Sequence, residues 1–212
     1  MEALVDAPVR SSLFGPLLVE YDDRVLTPRA WTVGQSDWAV ELLEHAEPGA
    51  ILELCAGAGH IGVLAAVRSD RPLVQVEASA VAAGYARRNA ARCGADVEVR
   101  EGDLDVALHA DERFPVILAD PPYLRTSEVT SWPDDPCTAI DGGVDGLAIV
   151  RSCLRIASDH LPEHGCLLLQ VADPAQADEV RALLDAQPGW GLVVTEARTY
   201  EGGGSVALVR RR

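Results

Sequence analysis

The stretch Ile51-Leu52-Glu53-Leu54-Cys55-Ala56-Gly57-Ala58-Gly59-His60-Ile61-Gly62 decides how the rest of the chain is read. A short apolar run ends in small residues, and an Ala-rich apolar segment at helical spacing follows over residues 61–68. The pattern predicts strand, tight turn, then helix. Glycines at 57, 59 and 62 fit the spacing GxGxxG. Without side chains, such a turn lets a nucleotide-like ligand approach the backbone and the helix N-terminus.

That spacing serves dinucleotides and S-adenosylmethionine alike, and Glu53, four positions before Gly57, separates the two. A carboxylate expected near the ligand at the strand's carboxyl end repels a pyrophosphate, whereas S-adenosylmethionine carries a sulfonium and an ammonium. Glu53 therefore favours S-adenosylmethionine. Glu77 ends the next apolar run, 20 residues after Gly57, the distance at which an acid accepts from ribose hydroxyls.

The 212 residues, 48% of them hydrophobic, suit one domain, with 1–48 as lead-in and helix and 49–212 as the core. With no targeting pattern and no apolar run near the ~20 residues of a membrane span, a cytoplasmic protein is expected. The five cysteines are widely spaced without CxxC, so neither a disulfide framework nor a metal cluster is expected. A net charge of −15 disfavours tight, sequence-independent binding to nucleic acid, whose affinity comes from Lys and Arg.

Residues 1 to about 20 read as a short extended lead-in, and 21–32 as a hairpin or loop opening onto a helix over 35–45. Strands follow at 50–54, 73–77, 97–100, 115–119 and 166–171, with helices at 61–68, from Ser79 to about Cys93, at 147–160 and at 174–185. Two closing strands at 192–197 and 205–210 read as a hairpin. This alternation predicts an α/β, Rossmann-like fold: a mostly parallel sheet of about seven strands covered on both faces, with one antiparallel strand near the C-terminus.

Asp103, with Leu104 beside it, lies just beyond the third core strand, placed to accept from an adenine amino group. The fourth runs directly into Asp120-Pro121-Pro122-Tyr123, so Asp120 and S-adenosylmethionine should share a pocket. The prolines remove N–H donors and leave carbonyls free to accept. An Asp oxygen plus the Pro121 carbonyl can hold both hydrogens of an NH2 group and aim its lone pair at a methyl, while Tyr123 offers a flat face. The polar stretch 124–145 is long enough to cover a site, and Trp31 and Trp132 lie in loops expected near it.

From Val25 onward the chain resembles class I S-adenosylmethionine-dependent methyltransferases of the HemK type, the protein glutamine N-methyltransferases that modify the GGQ loop of release factors. The carrying segments are Leu26-Thr27-Pro28-Arg29 with Thr32, the loop 53–62, Glu77, Asp103, Asp120 to Tyr123 in place of NPPY, and Asp141-Gly142-Gly143-Val144-Asp145-Gly146-Leu147 with Arg151. The resemblance implies catalytic roles for Asp120, Pro121, Pro122 and Tyr123. It implies S-adenosylmethionine contacts from Thr32, Glu53, Cys55, Gly57, Gly59, Gly62, Glu77, Ala78, Asp103, Leu104 and Asp120. The acceptor it implies is a protein, a release-factor glutamine first.

Two departures matter. The family's helical N-terminal domain finds no counterpart in these 212 residues, so the expectation is a likeness to short members whose partner surface can come from a second subunit, with a homodimer as an option. The family's Asn is Asp120 here: Asn donates to a glutamine carbonyl while accepting from its NH2, and an ionised Asp only accepts. An exocyclic amine of an RNA or DNA base, or a small-molecule amine, is therefore the alternative acceptor. A non-catalytic nucleotide-binding protein is the remote one.

Overall fold

The computed structural model describes residues 7–212, and the part of the lead-in over residues 1–6 lies outside them. Where a short extended lead-in was expected, β1 (Arg10–Phe14) and β2 (Leu17–Tyr21) form an antiparallel hairpin that turns at Gly15, φ 55°. Leu17, Val19 and Tyr21 bury one face of it. A short helical turn at Ala30–Thr32 then leads into α1 (Val33–Leu43).

The main sheet contains β3 (Ile51–Leu54), β4 (Leu73–Glu77), β5 (Val97–Glu101), β6 (Val116–Ala119), β7 (Cys166–Val171), β8 (Leu192–Thr199) and β9 (Ser205–Arg211). Its seven strands run in the order β5-β4-β3-β6-β7-β9-β8, with β9 antiparallel to both neighbours and the other pairs parallel. The order reverses beside β3 and β6, the switch point at which open α/β sheets hold ligands.

Strand alternation divides the apolar residues between two cores. Ile51, Leu73, Val116, Leu118 and Leu168 pack under α1, α2 (His60–Ser69) and α3 (Ala80–Cys93). Leu52, Leu54, Ile117, Leu167 and Leu169 pack under α5 (Ala148–His160) and α6 (Pro174–Ala186). Ser79 caps α3 by accepting from Ala82 N, and Gly94 ends it in the left-handed region. No helix among the described residues is long and apolar enough to cross a membrane.

The 124–145 stretch is tied at its neck. Leu124 N donates to Ile140 O, Gly142 N donates to Leu124 O at 2.7 Å, and α4 (Cys137–Ile140) sits inside it. Glycine is required at the return: a Cβ on Gly142 would lie 2.7 Å from Pro122 O, and one on Gly146, φ 74°, 2.6 Å from Tyr123 O. The segment 142–146 thus lies directly against the backbone of the Pro-Pro-Tyr turn.

Beneath the glycine loop lies Glu53, only 2% exposed. Its carboxylate accepts from Gly62 N at 2.9 Å and from Gln75 Nε2 at 2.5 Å, and the same Gln75 nitrogen donates to Gly59 O at 2.9 Å. Asn89 of α3 holds the loop from the other side by donating to Ala58 O, and pairs with the backbone of Glu20 on β2. A Gly62→Ala substitution places its methyl 2.4 Å from Glu53 Oε2 and 3.0 Å from Leu73 Cδ2. Chemical denaturation should show it less stable by about 1–3 kcal/mol.

Candidate functional site

At the carboxyl ends of the central strands a cavity of about 690 Å³ opens. Its walls come from residues 55–58 after β3, 77–79 after β4, 103–106 after β5, and Asp120 with Pro122 after β6. Residues 24–27 with Arg29, and Thr138, Ala139 and Asp141 from the 124–145 segment, close its other sides. Cys55 adopts φ 58°, unusual for a residue with a side chain, and the neighbouring Cys153 thiol on α5, with burial, pushes its own thiol up. Gly57 has no atom within 4 Å of where a Cβ would stand, so its backbone faces open space.

Glu77 is fixed by two backbone donors, Gly57 N at 2.7 Å and Ser79 N at 2.8 Å. A carboxylate offers about four acceptor positions, so the cavity side of Glu77 keeps acceptor capacity. His60 also lines the cavity, stacked edge-on against Phe14 at 4.6 Å, and burial pushes its pKa down to about 4, so it is neutral.

A second cavity, of about 290 Å³, lies on the far side of Asp120. Pro121, Pro122 and Tyr123 form one wall, Trp31 and the Gly202–Gly204 turn another, and Trp132 with Asp135 the lid side. Asp120, Pro122, Leu26, Arg29 and Ala139 line both cavities, so Asp120 stands where the two meet. Burial pushes its carboxyl up to about 7, against a weaker downward pull from the Arg29 guanidinium. Burial, with the nearby Asp120, also pushes the Tyr123 phenol up.

Of the residues expected from sequence, Cys55, Gly57, Glu77, Ala78, Asp103, Leu104 and Asp120 meet on the large cavity. Thr32, Pro121 and Tyr123 lie on the small one. Glu53, Gly59 and Gly62, expected from the sequence to contact the cofactor, line neither cavity. Glu53 points with Ile51 toward the α2 side of β3, where it holds the loop from below. Gly59 is small because Gln75 and Ala86 press against it, at 2.8 and 3.0 Å from a Cβ position, and Gly62 because Glu53 does. Ile149 and Ser152 of α5 and the hairpin turn 202–204 also reach these cavities. Nothing local in the sequence marks them, since only the tertiary fold brings them there.

Residues 34–132 match the family model of the methyltransferase small domain. The ribosomal protein uL3 glutamine methyltransferase of Bradyrhizobium diazoefficiens is 35% identical over 167 residues, covering 71% of this chain and 51% of that protein. The release factor glutamine methyltransferase of Mycolicibacterium smegmatis is 32% identical over 183 residues, covering 82% of this chain and 63% of that protein. The chain thus spans about half to three-fifths of the length of these curated relatives. A methyltransferase structure from Pyrococcus furiosus superposes with a TM-score of 0.68 at 20% identity, over 92% of this chain and 88% of that one, a likeness of fold.

Folding raises the Asp120 carboxyl from 3.8 to about 7, so the folded chain keeps a proton that the unfolded chain releases between these values. Its contribution to stability is therefore lost as pH climbs through that window. Asp120→Asn removes this dependence. Its melting temperature should differ little from the parent's near about pH 4 and exceed it increasingly toward about pH 8, as scanning calorimetry across pH will read.

Proposed function

Since the chain belongs to the class I methyltransferases, we propose that it moves a methyl group from S-adenosylmethionine to a side-chain nitrogen of a protein, with a release-factor-type or uL3-type glutamine as acceptor. The observation that carries this reading is the position of Asp120 at the junction of two cavities, one the size of a nucleoside cofactor and one narrow and aromatic-walled.

The residues on the large cavity fit S-adenosylmethionine. Glu77 has acceptor positions for ribose hydroxyls, Asp103 can accept from an adenine amino group, and the bare backbone at Gly57 permits close approach. When bound, the cofactor supplies an electrophilic methyl that carries its own leaving group, so the chain's task is to position and orient.

Positioning falls to the Asp-Pro-Pro-Tyr turn. Ala119 O is already taken by Gln35 Nε2 and Tyr123 O by Gln176 Nε2, and of the carbonyls between them that of Pro121 is the one we assign to an acceptor N–H. Trp31, Tyr123 and Trp132 give flat walls to a planar amide. Neutral Asp120 then does what an asparagine would: its O–H donates to the amide carbonyl while its other oxygen accepts from the NH2. Its burial keeps that neutral form available near neutrality. The second reading, an exocyclic base amine, is favoured by the purely accepting capacity of an ionised Asp120 and opposed by the net charge of −15.

The two acceptors give opposite pH dependence. With an amide, kcat/KM falls as Asp120 loses its proton above about pH 7, and Asp120→Asn abolishes that limb. With an amine, activity rises with pH through the same region. Asp120→Ala should eliminate transfer while leaving calorimetric S-adenosylmethionine affinity within about threefold, whereas Glu77→Ala should weaken that affinity by about 1–3 kcal/mol. Transfer of labelled methyl into a lysate separated into protein, nucleic-acid and small-molecule fractions tests the whole. Label in a glutamine of a protein supports the reading, and label only in RNA, DNA or a small molecule overturns it.

A further inference from the structure

Arg24 and Arg29 are the only Lys or Arg side chains among the described residues that line either cavity. Arg24 is fastened to Asp22 by Nη2 at 2.5 Å and Nε at 3.1 Å. Arg29 lines both cavities, as Asp120 does, yet its guanidinium is paired with Asp135 in the 124–145 segment, Nη2 to Oδ2 at 2.5 Å, and lies 5.8 Å from the Trp31 ring centroid. The Asp135 side chain is 10% exposed, so the pair is well shielded. The titratable groups that feel the charge of Asp120 are Glu53 from β3, the Cys55 thiol and Tyr123. Glu77 and Asp141 lie on the large cavity's wall. These are acids or neutral groups at pH 7, so Arg29 supplies the positive field that acts on Asp120.

We propose that Asp135 is a positioning residue of the acceptor site: by holding the Arg29 guanidinium to the lid, it leaves the Asp120 carboxyl without a cationic partner and able to donate a hydrogen bond to an acceptor carbonyl. This rests on the reading of Asp120 as the group that grips the acceptor. Its consequence is a coupling between lid and chemistry. With the 124–145 segment closed, Asp135 occupies Arg29 and Asp120 is a donor as well as an acceptor. With the segment displaced, Arg29 turns to Asp120, which ionises and only accepts. An amide is then gripped only under a closed lid.

The test is a carbon-13 NMR titration of the aspartate carboxyls in the whole chain without cofactor or acceptor, with Asp120→Asn identifying the Asp120 signal. Wild-type Asp120 should titrate near about 7. Asp135→Asn should lower that midpoint by about one pH unit or more, Asp135→Glu should restore it, and adding Arg29→Gln to Asp135→Asn should bring it back to the wild-type value or above. In assays with a synthetic glutamine peptide, the alkaline loss of activity should move down by the same step in Asp135→Asn. A midpoint unmoved by Asp135→Asn, or a shift that persists once Arg29 is gone, overturns the proposal. The titration is read without methyl transfer, so its failure is distinct from failure of the acceptor reading, which shows as absence of label in the peptide with the wild-type chain.

Discussion

The cavity floor depends on one buried carboxylate. Glu53 receives a backbone donor from the first turn of α2 and a side-chain donor from β4, and the Gln75 amide that serves it also clasps the carbonyl of Gly59. Strand, loop and helix are thereby fixed to one another beneath the residues that a ligand would touch. Asn89 extends the clamp to Ala58 and to the N-terminal hairpin. A loop held this way needs little reorganisation to receive a ligand, which is the condition under which backbone groups contribute most to binding. The arrangement has an electrostatic cost: burial pushes Glu53 up to about 7, relieved in part by its two donors.

The acceptor side is built by a different device. Here the chain brings a glycine-containing return segment against the carbonyls of Pro122 and Tyr123, where no Cβ would fit at 142 or 146. Gln176 from α6 takes Tyr123 O and its own Oε1 accepts from Ala172 N, so the turn is anchored on its far side as well. Asp141 and Asp145 use short acceptor bonds, to Gly143 N and Leu147 N, to shape the return. The 124–145 segment and the Pro-Pro-Tyr turn are therefore one packed unit, and a displacement of one is felt by the other.

Much of this was readable from the sequence because it follows from periodicity. The strands at 73–77 and 166–171 are mostly apolar runs with buried residues on both faces, and their limits coincide with those observed. The glycine spacing marks the loop, yet spacing does not say which way a Cβ would point, and at 59 and 62 it would point at Gln75 and Glu53. A cue was present: in a strand, residue 53 shares a face with residue 51, and Ile51 belongs to the core under α2. The hairpin at 10–21 escaped because each strand is five residues long and its stabilising partner, Asn89, is 69 residues from Glu20. The Arg29–Asp135 pair, 106 residues apart, is equally invisible to any local pattern.

Aspartate at 120 is then best understood by what it can do that asparagine cannot. An asparagine presents one donor group and one acceptor whatever its surroundings, so its chemistry is indifferent to the field around it. A carboxyl poised near neutrality has the same hydrogen-bonding repertoire in its neutral form and loses the donor when ionised, so every neighbouring charge becomes part of its specificity. In this chain two features leave the neutral form favoured: burial at the wall between two cavities, and the engagement of the nearby guanidinium with Asp135. A site selected only to accept from an amine would gain from the opposite arrangement, with the arginine turned onto Asp120 to keep it ionised. On the proposed reading, it is the engagement of Arg29 with Asp135 that matches the site to an amide.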